Sequence, residues 1–201
     1  LAALHAGIER QIAAAGLSTR DTTPDPDRAP DVAHALYLAY TAAYYATDQA
    51  VASDVVALIT TAASAIDDPT LASLRALVTL THARRTARNP DADTLVTLRD
   101  QDRTLWRHDE IAAGLRAYAA IEPTTGFAEE LRIIATIAAL HCLAPSADRT
   151  DWQAIDRAYA LFETARGSAT TVDLLFSLEN EEASGREHAN GLEAILARRS
   201  Y

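Results

Sequence analysis

At 201 residues the chain suits one domain or two small ones, and with apolar residues at 49% it can bury a sizeable core. Seven glycines and seven prolines are too few for a turn-rich β fold, and an apolar fraction dominated by alanine predicts closely packed helices. A formal net charge of -10 argues against a protein that grips duplex DNA through a basic face.

The first predicted element is a helix over Leu1–Ala15, closed by Gly16. Ser18–Pro30, with Pro24, Pro26 and Pro30 set among aspartates, reads as a linker. A helix opens at Asp31 and runs to about Ala46 with Leu36, Tyr37, Tyr40 and Tyr44 on one face. The next covers about Ala50–Ile66, with Val51, Val55, Leu58, Ala62 and Ile66 as its apolar stripe. Asp68-Pro69 places an N-cap before a proline at the first helical position. That helix continues through Leu71, Leu74, Leu77 and Val78 to about Arg88, where Asn89-Pro90 stops it. Asp91–Arg103 has no helical stripe: an alternating piece, Thr94–Leu98, precedes the charged run Arg99-Asp100-Gln101-Asp102-Arg103. A structured loop of that length points to a role.

Thr104–Ile121 is predicted helical, with Pro123 and Gly126 ending the segment. A helix over about Phe127–Leu143 follows, then the break Ala144-Pro145-Ser146. Thr150–Gln153 has the capping-box pattern and opens a helix with Trp152, Ile155, Tyr159 and Phe162 on its buried face, closed by Gly167. Thr170–Glu182 and Glu187–Arg199 read as two more helices, separated at Ser184-Gly185. The expected fold is an all-α array of antiparallel helical hairpins, tetratricopeptide-like in its C-terminal half, without a clean repeat of about 34 residues.

The most apolar stretch, Ile133–Leu143, is far shorter than the roughly 20 residues of a membrane span. The N-terminus lacks the basic-then-apolar order of a signal peptide. The single cysteine, Cys142, allows no internal disulfide, so a cytoplasmic protein without membrane contact is expected. A chain that opens on Leu1 and holds no methionine leads to the expectation of a fragment of a longer protein.

Several segments, in order, resemble one family. They are Ala35-Leu36-Tyr37-Leu38, His82-Ala83-Arg84-Arg85-Thr86-Ala87-Arg88, Asp91-Ala92-Asp93, Leu95-Val96, and Asp100-Gln101-Asp102-Arg103 with Trp106. Ile111-Ala112-Ala113-Gly114-Leu115, Ala138-Ala139-Leu140-His141, Ala144-Pro145-Ser146 and Thr150-Asp151-Trp152 complete the series. Together they resemble the tetratricopeptide-related C-terminal extension of extracytoplasmic-function RNA polymerase sigma factors, from about residue 5 to residue 165. The resemblance implies residues 1–17 as a remnant of the helix after the promoter-binding region, 18–30 as a linker and 31–201 as a helical extension domain. It further implies modulation of transcription initiation through contacts with RNA polymerase or the sigma regions. The chain departs from that family in two places. Tyr40-Thr41-Ala42-Ala43-Tyr44 stands where the family has an aromatic-Asn-Glu-Gly-Tyr motif. Arg10 is the one Arg or Lys of Leu1–Leu17, too few cations for several phosphate contacts, so little direct DNA binding is expected of this segment.

Candidate contact residues follow. His82, Arg84, Arg85, Asp100, Gln101, Asp102 and Arg103 form a polar block that is either an ion-pair network pinning the loop, with Arg forks on carboxylates, or a recognition site built from the same groups. Trp106 belongs with them through the resemblance. Tyr37, Tyr40 and Tyr44 share a face that either packs in the core or lines a pocket for a small aromatic ligand. His141 reads as a capping or core histidine, and Cys142 as a small buried hydrophobe. His108-Asp109-Glu110 cannot converge on one ion from neighbouring helical positions. No phosphate-binding glycine loop, nucleophile elbow or zinc spacing is present, so no cofactor or metal is expected. Two functions follow: a sigma-type regulatory module, or a repurposed sigma-like scaffold that binds or converts a small organic molecule in specialised metabolism. The lysine-free, Ala- and Arg-rich composition points to a GC-rich, actinobacterial genome for the second.

Overall fold

The computed structural model describes residues 26–90 and 95–165, and every regular element among them is helical. A 3-10 turn at Pro26–Arg28 leads into α1 (Ala29–Tyr45), followed by α2 (Gln49–Ala65), α3 (Pro69–His82) and the single-turn α4 (Arg85–Arg88). A 3-10 turn at Arg103–Leu105 precedes α5 (His108–Ala119) and α6 (Gly126–Leu143); another at Ala147–Arg149 precedes α7 (Trp152–Ala165).

Local chemistry sets several of these boundaries. Asp48 accepts the Val51 N–H at 3.0 Å to open α2, after a left-handed Thr47 (φ 56°) turns the chain out of α1. Asp68 accepts the N–H groups of Thr70 and Leu71 at 2.8 and 3.1 Å, with Pro69 at the first turn of α3. Such caps satisfy amides that have no partner within the helix and stabilise each start by about 1 kcal/mol.

α3 lies at the centre. It packs against α1, α2, α5 and α6, its most extensive contact being with α6. Leu71, Leu74, Ala76, Leu77, Val78 and Leu80 are essentially inaccessible to solvent. α6 supplies the facing apolar surface through Leu131, Ile134, Ala135, Ile137 and Ala138. α1 adds Ala29, Ala33, Tyr37 and Tyr40, and α7 adds Ile155, Ala158 and Phe162. Sequence neighbours also pair, α1 with α2, α2 with α3, α5 with α6 and α6 with α7, which makes the expected array of helical hairpins.

Five expectations need correction. The buried stripe of α2 is Ala52, Val55 and Ile59, whereas Val51 and Leu58 are 45% and 57% exposed. α2 lies at the edge of the array and meets only α1 and α3 closely, so one narrow stripe suffices. The helix expected to reach Arg88 stops at His82, because the Ala83 carbonyl accepts the Arg107 N–H at 2.9 Å instead of continuing the helical ladder. The helix expected from Thr104 starts at His108, and Trp106 is extended (φ −72°, ψ 142°). The Thr150 capping box does not form: Asp151 accepts the Ala154 N–H at 2.9 Å, Thr150 bonds back to Ser146, and Trp152 and Tyr159 stay partly exposed. α1 begins at Ala29, two residues before Asp31. The helices expected over Leu1–Ala15, Thr170–Glu182 and Glu187–Arg199, most of the 18–30 linker and Gly167 lie outside the described residues.

Gly114 is where α5 crosses α3. A Cβ at that position would stand 2.8 and 2.9 Å from Cγ and Cδ2 of Leu80 and 3.3 Å from the Leu80 amide nitrogen. Leu80 is fully buried and has no room to yield. Overpacking of this kind costs about 1–3 kcal/mol, against a gain in helix propensity of about 1 kcal/mol. Gly114→Ala is therefore expected to lower stability by up to about 2 kcal/mol, read as a lower urea midpoint with an unchanged m-value.

Candidate functional site

α3 is apolar around most of its circumference but carries Arg75, Thr79 and His82 at four- and three-residue spacing, hence along one stripe. The stripe forms the floor of a groove of about 670 Å³. One wall comes from α2 through Ser53, Val56, Ala57 and Thr60; the other comes from α5 through Glu110, Ala113, Arg116, Ala117 and Ala120. Alanines keep both walls thin, which is why the groove stays open.

One end of the groove is a fixed polar knot. Arg85 makes two bonds to Glu110, to Oε1 at 2.8 Å and to Oε2, and a third to the His82 carbonyl at 2.9 Å. His82 Nε2 lies 3.0 Å from Ser53 Oγ. Burial first, then the Arg85 guanidinium, pushes the imidazole pKa down to about 4, against a small opposing pull from Glu110. The ring is thus neutral at pH 7. The serine–histidine contact does not make a nucleophile. The Gln49 carbonyl, 2.7 Å from the Ser53 hydroxyl, competes with the imidazole for its proton, and a histidine of such low pKa is a weak base. The chemistry on offer is binding: guanidinium donors, small hydroxyls and an apolar wall.

Among the candidate contact residues named from sequence, the structure brings His82 and Arg85 to this groove, joined there by Glu110, which the sequence suggested only for metal binding. The rest of the polar block is a joint. Arg84 is buried at the bend between α3 and α4, where its carbonyl accepts the N–H groups of Ala87 and Arg88. Arg103 donates to the carbonyls of His141 and Ala144 at 3.0 and 2.9 Å, capping the C-terminus of α6, and its guanidinium lies 4.3 Å from the Trp106 ring centroid. Burial, then the nearby Arg84 charge, lowers the Arg103 pKa from its usual value. Trp106 in turn donates to Gln101 Oε1 at 3.2 Å, and Gln101 donates to the Val96 carbonyl at 3.2 Å.

The expected pairing of Arg forks with Asp100 and Asp102 is not how the block is wired. Both aspartates face solvent and fasten local turns: Asp100 accepts from the Thr97 hydroxyl at 2.8 Å, Asp102 from the Thr104 amide and hydroxyl at 2.9 and 2.7 Å. Those two bonds hold the Asp102 carboxyl below the usual carboxylate range. Arg85 goes instead to Glu110 and the His82 carbonyl, and Arg103 to the carbonyls of His141 and Ala144, each planar fork serving more than one acceptor.

Tyr37, Tyr40 and Tyr44 are buried side chains of the core, and none lines the groove. Tyr37 meets Phe127 edge-on at 6.3 Å, Tyr40 lies 5.7 Å from Tyr44 and 6.2 Å from His82, and the Arg88 guanidinium caps the Tyr44 ring at 3.7 Å. His141 is buried against the edge of Trp152 at 5.7 Å. Cys142 contacts the Leu80 carbonyl through a weak S–H bond of 3.7 Å. Among the described residues no group of His, Cys, Asp or Glu is placed to hold a metal, and no helix is long and apolar enough to cross a membrane.

Sequence reasoning passed over Arg75, Arg116 and Glu110 as groove residues. The signal for the first is Arg75 itself, the one arginine of the helix, in register with Thr79 and His82: a long cationic side chain on a mostly apolar helix marks the stripe that reaches solvent. Glu110 was weighed only as a metal ligand.

The molecule is thus an all-α helical-hairpin array bearing a polar groove and a pinned loop. Its residues 28–121 match the profile of a family of unknown function (DUF6596). The chain is 31% identical over 169 residues to uncharacterized protein R00370 of Rhizobium meliloti (strain 1021), an alignment that covers 79% of this chain and 39% of that protein. The chain accordingly spans about two-fifths of the length of that relative. No solved structure matches it.

Two measurements probe the site. His82 has a folded pKa near 4 against 6.5 when exposed, so the unfolded chain takes up the proton first as pH falls. Stability is expected to decline between pH 6.5 and 4 by up to about 3 kcal/mol from this group, and to flatten below pH 4. His82→Gln is expected to reduce that slope in urea titrations. Arg103→Met keeps the stem over Trp106 but strips the α6 carbonyls of their donor; a loss of about 1–3 kcal/mol is expected, read as a lower thermal midpoint.

Proposed function

We propose that this chain is the helical regulatory extension of a sigma-factor-like transcription protein and that it works through protein contacts made by the Arg99–Leu105 surface. The observation that carries the reading is how that loop is built. Gln101, Arg103 and Trp106 hold it from beneath, while Arg99, Asp100, Asp102, Thr104 and Leu105 face solvent. Such a surface is already ordered before it meets a partner, so little entropy is lost on binding. The same stretch lies in the block that most resembles the sigma-factor extensions. Two exposed carboxylates between Arg99 and Arg107 make a mixed-charge face, the kind of surface that selects partners by charge pattern.

The test uses the full-length gene product. It is expected to associate with core RNA polymerase and to support promoter-dependent transcription. Asp100→Asn/Asp102→Asn is expected to retain the helical spectrum and to lower transcription by about tenfold, the effect of about 1.4 kcal/mol at a contact. A full-length protein that ignores polymerase, or a double variant that transcribes as the wild type does, would overturn the proposal.

A further inference from the structure

We infer that the groove between α2 and α5 is a binding site for a small organic anion, one with a carboxylate or phosphate head and a compact apolar body. Charge is the first argument. Three arginines, Arg75, Arg85 and Arg116, line the groove against one acid, Glu110, in a chain whose net charge is -10. Arg85 and Glu110 neutralise one another through their two bonds. Arg75 and Arg116 remain as a local cationic excess, and neither guanidinium meets a carboxylate among the described residues. Such a local cationic excess attracts small anions at short range, against the repulsion of the chain's net negative charge.

The second argument is an unmet donor. Arg75 Nε is shielded from solvent and has no hydrogen-bond partner. A shielded polar group without a partner costs free energy, and that penalty is relieved when the Arg75 side chain turns to bring this N–H onto ligand oxygens in a charge-assisted bond.

The third argument is shape. Arg85 against Glu110 and Leu80 against Gly114 set α5 running back along α3, which brings the Arg116–Ala120 end of α5 toward Arg75. Beside those arginines the walls are Val56 and Ala57 on one side, Ala113 and Ala117 on the other. A flat apolar body fits between such walls, and the volume of about 670 Å³ lies in the range of small-molecule sites. His82, held neutral, and the spent Arg85–Glu110 pair close the far end without adding a competing charge.

Calorimetric titration of the protein with 2-naphthoate, 2-naphthalenemethanol and inorganic phosphate tests the inference. Naphthoate is expected to bind most tightly, the neutral alcohol and bare phosphate at least about tenfold more weakly, and added salt to weaken the naphthoate complex. Arg75→Gln and Arg116→Gln, both at solvent-reached positions, are expected to fold normally and each to weaken naphthoate by about tenfold. Ala117→Trp fills the apolar part and is expected to abolish binding. Absence of naphthoate binding at millimolar concentration, or equal binding by wild type and both arginine variants, would overturn the inference. The site is separate from the Arg99–Leu105 surface, so Asp100→Asn/Asp102→Asn is expected to bind naphthoate as the wild type does, and either proposal can fail alone.

Discussion

The structure depends on the burial of α3. A helix enclosed by four neighbours must be apolar on nearly every side, and α3 meets that demand with a run of leucine, valine and alanine. Burying each such side chain stabilises the fold by about 1.5–3 kcal/mol, so the middle of α3 carries a large share of the driving force. The geometry of the rest follows. α6 must present its own apolar face, α5 must cross at a glycine, and α1 must bring small and aromatic residues at helical spacing. The single polar stripe of α3 cannot be enclosed, so two neighbouring helices stand apart over it. The groove is a consequence of that stripe as much as a feature of α2 and α5.

Arginine does most of the fastening at the perimeter. Arg85 grips a carboxylate with both arms, Arg88 bonds the Tyr44 carbonyl at 3.1 Å while stacking on its ring, and Arg103 collects two carbonyls from the end of α6. The planar fork suits these tasks because it serves several acceptors at once and stacks on aromatic faces. Each contact joins segments far apart in sequence. Arg88 ties α4 to α1 and Arg103 ties the loop to α6, so the described part of the loop, residues 95–107, is anchored although it is poor in regular structure. That anchoring separates the loop into an inner face that holds the fold and an outer face available to a partner.

The groove and the loop present opposite kinds of chemistry. In the groove, cationic groups exceed anionic ones and the walls are thin and apolar, a combination suited to a small anion with a hydrophobic body. On the loop, Arg99 and Arg107 flank the exposed carboxylates of Asp100 and Asp102 over a firm base, which suits a larger protein surface. His82 is neutral at the groove's end: its low proton affinity follows from burial next to Arg85, and a charged imidazole there would disturb both the Arg85–Glu110 pair and the packing of Tyr40.

The sequence by itself determined where most helices lie. Periodicity placed α1, α2 and α6 to within a residue or two, and Asp68-Pro69 marked the start of α3, because caps and periodic burial act over a few residues and are written locally. It also set the composition from which an all-helical array follows. Only the tertiary structure decided which stripe of α2 is buried, that the helix breaks after His82 because Arg107 claims the Ala83 carbonyl, and that Asp100 and Asp102 serve turns while Glu110 takes Arg85. It alone brought Arg75, Arg116 and His82 around one groove. Those outcomes depend on which neighbours exclude water from a given face and which acceptors come within reach of a long side chain, quantities that exist only once segments distant in sequence have come together.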